Sequence, residues 1–322
     1  MDKQKLWGIV KVILKIGFTG LLIYLVFKKI NFSDVKAAFL QSNPFYILLA
    51  VFFYFLSMVV GTWRSLVFLK SIGMNLKYGF NFRLYMLGAF YNIFLPGGVG
   101  GDGYKIYILA RKFKFPTKKV FWALFLERIS GVWAICFIIV TLIMLIPQID
   151  IHVFWPLSTL IISTGVYYFL AKKFFADYSR YFFKAHLLSG IVQSFTVLIV
   201  VSILLSQDFQ GKFSPYLLSF LVSTLISVIN IGIGGLGVRD YAMTHASDIF
   251  GMDQTIAVFI TTTYWMISVI VSLPGLWYVY NSTEFDPIPT TKEAKEAEKE
   301  SDAALKNSKS QTFSDTESQQ NH

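Results

Sequence analysis

The chain has 322 residues, 55% of them hydrophobic and only 15% charged, with a mean hydropathy of +0.56. A water-soluble fold is excluded, because no core of this size encloses that much apolar surface. The net charge of +10 comes with no nucleic-acid-binding module, so it points to anionic lipid headgroups rather than to DNA or RNA.

Crossing about 30 Å of hydrocarbon takes roughly 20 helical residues. The first window of that kind is 7–27, where Lys11 and Lys15 interrupt the apolar run and no small-x-small cleavage pattern follows. An uncleaved first helix is expected there. The window 44–69 follows, with Arg64 near its end, and then a shorter one at 79–95 that runs into Leu95-Pro96-Gly97-Gly98-Val99-Gly100-Gly101-Asp102-Gly103-Tyr104-Lys105. Windows 120–146, 152–170 and 183–205 are long enough to span, and Cys136 in the first of these is expected to be a packing residue. A second short window, 216–233, enters Gly232-Ile233-Gly234-Gly235-Leu236-Gly237-Val238-Arg239-Asp240, and a last long one covers 255–280. The expectation is an all-α polytopic membrane protein with six full spans and two broken or re-entrant segments. Residues 1–281 form the membrane domain. Residues 282–322, rich in Glu, Lys, Ser and Gln, form a polar, disordered cytoplasmic tail.

From Glu284 onward the tail holds 5 lysines and 9 acids, which leaves 24 Lys or Arg against 10 acids in the membrane part. The cations concentrate at the N-terminus, around Lys70 to Arg83, at 105–119 and at 172–184, whereas the connections at 149–154 and 207–215 are nearly free of them. All the basic connections fall on one side, the cytoplasmic one, only if 79–105 dips in and returns. The segment 216–237 then dips in from the opposite face. Lys28, Lys29 and Lys36 fall on the other side in this scheme, where their stems can snorkel. Residues 44–147 and 183–280 each read as span, broken segment, span, which makes an inverted repeat of the kind that places substrate near the midplane between discontinuous helices. If both short segments cross completely, the repeat is parallel and the spans number eight.

Glu127 and Arg128 lie about 12 Å along the 120–146 helix from the basic connection. Charges at that depth cost about 2.5–3.5 kcal/mol each on insertion scales and face a cavity or a partner. Neighbours on a helix point about 100° apart, so these two do not neutralise one another. Candidate partners are Asp102, Lys105, Arg239 and Asp240, with Arg64 and Arg83 expected to snorkel to the interface. One reading is a buried ion network that locks the halves together. The functional reading is that Lys105, Arg128 and Arg239 hold an anionic headgroup while Asp102, Glu127 and Asp240 orient them. Arginine suits the task because its planar fork binds phosphate oxygens bidentately and keeps its charge in apolar surroundings.

Successive glycines let several N–H groups converge on one anion, beside the partial positive charge of a helix N-terminus. Both clusters also fit G-x-G-x-x-G, but no strand precedes either, so they are not dinucleotide sites. The histidines (His152, His186, His245 and His322) have no metal-ligand spacing, and only His245, just beyond the second cluster, is placed to line a site. No nucleophile elbow or catalytic triad stands out. Neither catalytic residues nor a metal nor a cofactor is expected.

Asn92 with Leu95-Pro96-Gly97-Gly98 and Gly100-Gly101-Asp102, then Glu127-Arg128 with Gly131, and finally Gly234-Gly235-Leu236-Gly237-Val238-Arg239, together resemble the motif set of the flippase-like family typified by the transmembrane region of lysylphosphatidylglycerol synthase. Arg64 in Thr62-Trp63-Arg64 resembles an arginine of that family's early helix. The resemblance covers residues 7–280. It implies a bacterial or archaeal inner-membrane protein, in some members linked to moving aminoacylated phospholipids and in others to cell-envelope glycolipid pathways. Three positions depart from the pattern: Lys105 replaces an arginine, Arg239-Asp240 an Arg-Glu pair, and Asn230 a proline. Residues 282–322 are too few to be the aminoacyltransferase domain of the bifunctional synthases, so synthase activity is not expected.

The function expected is binding of an anionic phospho- or polyprenyl-linked lipid headgroup and its movement between leaflets, downhill or ion-coupled, since no ATP motif is present. The residues expected to bind are Asn92, Gly97, Gly98, Gly100, Gly101, Asp102, Lys105, Glu127, Arg128, Gly234, Gly235, Gly237, Arg239 and Asp240, with Arg64 and His245 secondary. A separate aminoacyltransferase or glycosyltransferase is the expected protein partner. The alternative is a non-transporting membrane protein that presents a lipid-linked sugar to a glycosyltransferase. A membrane-embedded enzyme using Asp102 or Glu127 as base ranks third.

Overall fold

Asn43 and Pro44 start the first described helix, α1 (Pro44–Ser71), by complementary means. The Asn43 side chain accepts the Phe45 N–H at 3.0 Å, and proline at the first position gives up only an N–H that has no helical partner. The structure, a computed structural model, describes residues 37, 39–94, 100–144, 152, 154–227, 238–281 and 285. The expected first span at 7–27, the glycine turns at 95–99 and 228–237, and the tail beyond 285 lie outside them.

After α1 come α2 (Tyr78–Phe94), α3 (Gly100–Lys112), α4 (Thr117–Ile143), α5 (Phe154–Phe174), α6 (Ala176–Ser179), α7 (Phe182–Leu205), α8 (Phe213–Ser227), α9 (Val238–Phe250), α10 (Gln254–Ser272) and α11 (Pro274–Asn281). Among the described residues no strand occurs. Five stretches are long and apolar enough to cross a membrane: α1, α4, α5, α7 and Gln254–Tyr278. Their outward faces carry Phe52, Phe121, Phe169 and Leu187 in the open, a surface that hydrocarbon solvates and water does not. The window 255–280 divides at Pro274, which begins α11. Phe285, in the stretch expected to be a disordered tail, is buried against Phe80 with ring centroids 5.5 Å apart.

The pair α1 and α7 forms the antiparallel spine. The Asn43 N–H donates to the Ser206 carbonyl at 2.8 Å, Phe53 stacks on Phe195 at 6.1 Å, and Trp63, Lys70, Lys184 and Leu188 share one groove toward the other end. That second end is basic. Tyr178 donates to the Lys119 carbonyl there, Trp122 meets Phe175, and Lys70 lies over Tyr181, which brings 70, 111–119 and 172–184 together. At the opposite end Lys212 is the sole lysine or arginine among the described residues.

The helices α2 and α3 pair antiparallel, with Phe80 against Phe113 at 5.5 Å, Tyr91 against Tyr104 at 4.9 Å, and the Gly101 N–H on Asn92 Oδ1 at 2.9 Å. The segment therefore enters and leaves at the basic end. A methyl group on Gly101 would collide with the Gly88 carbonyl, so the two backbones touch, which only a residue without Cβ allows. The second hairpin, α8 and α9, closes through Arg239 on Ser227 at its tip and through the Asp253 N–H on the Tyr216 hydroxyl at 2.8 Å at its base. Its base meets Phe209, close behind Ser206 at the non-basic end. The two hairpins thus enter from opposite ends, and neither segment crosses.

Packing within α1–α4 is reproduced by α7–α10. The contact of α1 with α2 has its counterpart in α7 with α8, that of α4 with α7 in α10 with α1, and that of α4 with α8 in α10 with α2. The repeat is inverted, related by a pseudo-two-fold axis between α1 and α7. In a Cys136→Ser background, a membrane-impermeant maleimide should reach Phe113→Cys and Phe209→Cys from opposite faces of oriented vesicles. Labelling of both from one face would refute the opposed hairpins.

Candidate functional site

On α4, Glu127 and Arg128 point to different partners, as their spacing requires. Glu127 Oε1 accepts from Arg64 Nη2 at 3.2 Å, and Arg128 Nε donates to Asp102 Oδ2. The other Asp102 oxygen lies 3.3 Å from Lys105 Nζ, one turn along α3. Asp102 is therefore the shared counter-ion of two cations on two helices. The Lys105 stem runs over Gly88, where a side chain would displace it, and its ammonium rests 4.4 Å from the centre of the Tyr85 ring. Gly131 leaves room for the Arg64 guanidinium, whose Nη1 lies 3.4 Å from where a Cβ would stand.

These side chains surround a cavity of ≈ 230 Å³ lined by Arg64, Tyr85, Ala89, Asn92, Asp102, Lys105, Leu124, Glu127 and Arg128. Its wall holds three cations against two carboxylates, an excess of one positive charge. Arg64, Lys105 and Glu127 are buried, Asp102 is nearly so, and the Arg128 side chain is 33% exposed at the outer edge. Arg64 Nε is buried without a hydrogen-bond partner among the described residues, a donor that water or a ligand oxygen would satisfy. The α3 N-terminus at Gly100 and Gly101 adds its partial positive charge to the same space, with the Gly101 N–H already held by Asn92.

Of the residues expected to bind, the structure brings together Asn92, Gly101, Asp102, Lys105, Glu127, Arg128 and Arg64, with Gly100 beginning α3. Arg64 does not snorkel. Its helix continues to Ser71, so it sits about 10 Å from the end and turns inward to Glu127. Gly97, Gly98, Gly234, Gly235 and Gly237 lie outside the described residues. Arg239 and Asp240 belong to the second hairpin and do not line this cavity. The Arg239 guanidinium lies 5.1 Å from the Tyr264 ring and 5.5 Å from Phe220, with Nη2 3.3 Å from the Ser227 hydroxyl. His245 is exposed on α9 and stacks on Tyr241, apart from both charged groups.

Tyr54, Tyr85 and Tyr264 were not legible as site residues, because aromatics occur throughout the chain. Tyr54 meets Tyr264 at 5.7 Å, and Tyr85 lies within electrostatic reach of both and of Lys105. Tyr264 in turn carries the Arg239 guanidinium on its face. The signal available was Tyr85 three residues before Gly88 and seven before Asn92, one face of α2. The buried His186 serves packing: its Nδ1 faces the Phe182 carbonyl at 2.7 Å and its Nε2 the Tyr167 hydroxyl at 3.1 Å. Among the described residues no three His, Cys, Asp or Glu side chains gather as metal ligands would.

A family model described as the lysylphosphatidylglycerol synthase TM region matches residues 12–275. No curated protein matches the chain.

Removing one partner of a buried ion pair strands the other, at a cost of about 3–5 kcal/mol. Glu127→Leu should therefore lower the thermal midpoint in detergent substantially, and adding Arg64→Met should restore most of the loss. Equal midpoints for the single and double variants would show that the pair is not buried as described.

Proposed function

The chain belongs to the family of the lysylphosphatidylglycerol synthase TM region, and from that premise we propose that it binds an anionic lipid headgroup, phospholipid or polyprenyl-linked, and helps move it between leaflets. The observation that carries this reading is the excess positive charge lining a cavity of ≈ 230 Å³ beside the N-terminus of a broken helix. Transporters with inverted repeats bind anionic groups at such helix ends.

The roles follow from exposure and pairing. Arg128, at the outer edge, meets the phosphate first, and its planar fork exchanges the Asp102 carboxylate for phosphate oxygens. Lys105 follows because it shares the same carboxylate. Arg64 stands deeper, with Nε available, and Glu127 holds it in place. Asp102 supplies the counter-charge when the cavity is empty, so the cations stay ionised and soluble in the protein interior between cycles.

In this reading the protein is a carrier and not an enzyme, and any aminoacyl or glycosyl transfer belongs to a separate protein. It resides in the cytoplasmic membrane of a bacterium or archaeon. The basic end faces the cytoplasm by the positive-inside rule, which puts both termini there. Movement is downhill or ion-coupled.

A hydrogen bond to a charged group contributes about 1.5–3 kcal/mol, roughly 10- to 100-fold in rate. In proteoliposomes, fluorescent phosphatidylglycerol should exchange between leaflets faster than in empty vesicles, and Arg128→Ala should slow it by roughly that factor while the protein stays folded. Exchange no faster than in empty vesicles would overturn transport, and robust copurification with a glycosyltransferase would then assign the presenting role. A folded Arg128→Ala protein at the full rate would remove that arginine from the mechanism.

A further inference from the structure

Where α1 and α7 approach the basic end, their seam opens into a groove of ≈ 470 Å³, lined by Trp63, Leu66, Val67, Lys70, Lys184 and Leu188. It shares no residue with the charged cavity, although Trp63 and Arg64 are chain neighbours, about 100° apart around α1. The lining is graded. Trp63, Leu66 and Lys70 follow one another up one face of α1, and Leu188 and Lys184 do the same on α7. Apolar side chains thus fill the part toward the bundle middle, and two ammonium groups stand at the mouth. From Trp63 to Lys70 is about 10 Å along the helix, comparable to the upper part of an acyl chain.

Neither lysine meets a carboxylate among the described residues. Lys70 lies 5.8 Å from the Tyr181 ring. Trp63 is 52% exposed, with its ring edge-on to Tyr78, so a large apolar wall faces the groove, uncovered by the described residues. Among the described residues, the other end of the same seam is closed by neutral contacts, Asn43 on Ser206 and Gln207 on Ser42. Charge, apolar depth and position at the headgroup level coincide in this groove.

We propose that this groove holds one resident anionic phospholipid of the basic-side leaflet, with its phosphate between Lys70 and Lys184 and an acyl chain along Trp63, Leu66 and Leu188. The lipid braces the α1–α7 spine from outside while the cavity works on the inner face of α1. The proposal does not depend on transport. A zwitterionic lipid fills the apolar part equally but brings a choline cation with its phosphate beside the two ammonium groups, so the groove prefers phosphatidylglycerol to phosphatidylcholine.

Each lysine near an anionic headgroup contributes on the order of fivefold in affinity. Native mass spectrometry of the full chain in detergent, titrated with dioleoylphosphatidylglycerol or dioleoylphosphatidylcholine, should show one tightly retained phosphatidylglycerol. The double variant Lys70→Gln, Lys184→Gln should weaken that retention by about tenfold or more, whereas Lys172→Gln, Lys173→Gln, equal in charge change at the same end, should leave it. Retention unchanged in the first variant, or equally reduced in the second, would overturn the site. Replacing Leu188 with benzoylphenylalanine and irradiating in phosphatidylglycerol vesicles should give a lipid adduct. An adduct to residues 1–36 of the same chain, or to a second copy, would overturn it as well.

Discussion

A charge placed in hydrocarbon must find a counter-charge or a polar cavity, and the first half of this protein is arranged around that requirement. Asp102 answers it for two cations at once, Arg128 across the helix interface and Lys105 along its own helix. Glu127 answers it for Arg64. Three helices, α1, α3 and α4, are thereby tied at one level of the bundle. The cavity lining keeps three cations against two carboxylates.

Such a level could not be built on unbroken helices. A span crossing from face to face carries its side chains past the midplane and offers no helix terminus there. A hairpin that enters, turns at glycines and returns delivers both a helix N-terminus and the charged residues next to it. The close contact of Gly88 with Gly101 lets the two arms share one slot in the bundle. The two hairpins enter from opposite ends and pack against the same spans, where Tyr54 meets Tyr264 and Tyr85 lies under the Lys105 ammonium.

Composition and apolar length were enough to locate the five described spans, because the membrane imposes a minimum length that sequence displays directly. The re-entrant character of the short segments was legible only through charge: the basic connections share a face only if 79–105 turns back. Contacts at 80 with 113 and at 216 with 253 supply what charge counting leaves open. Glu127 and Arg128 announced a need for partners through their depth, but which partner each takes depends on helix rotation. Arg64 was assigned to the interface because the apolar window ended close by, whereas the helix runs on to Ser71 and lowers it into the interior. The break at Pro274 escaped notice for the opposite reason, since hydropathy does not drop there. Only its spacing from Gly88 and Asn92 marked Tyr85, and nothing marked Tyr264, in a chain with 17% aromatic residues.

The two halves share a backbone plan but not a chemistry. Aligning Gly97-Gly98-Val99-Gly100 on Gly234-Gly235-Leu236-Gly237 sets Tyr104 opposite Tyr241, Asp102 opposite Arg239, and, in the following span, Glu127 opposite Tyr264. Where the first hairpin places an acid that gathers cations, the second places a cation, and where the first span answers with a carboxylate, the second answers with a ring. Arg239 is accordingly held by the faces of Phe220 and Tyr264, with Nη2 on the Ser227 hydroxyl. Its Nε is buried without a hydrogen-bond partner among the described residues, as is that of Arg64. Where Arg64, Lys105 and Arg128 each face a carboxylate, Arg239 faces a hydroxyl and two rings. The inverted repeat therefore holds for the backbone and not for the charge, and its two hairpins are not chemically equivalent.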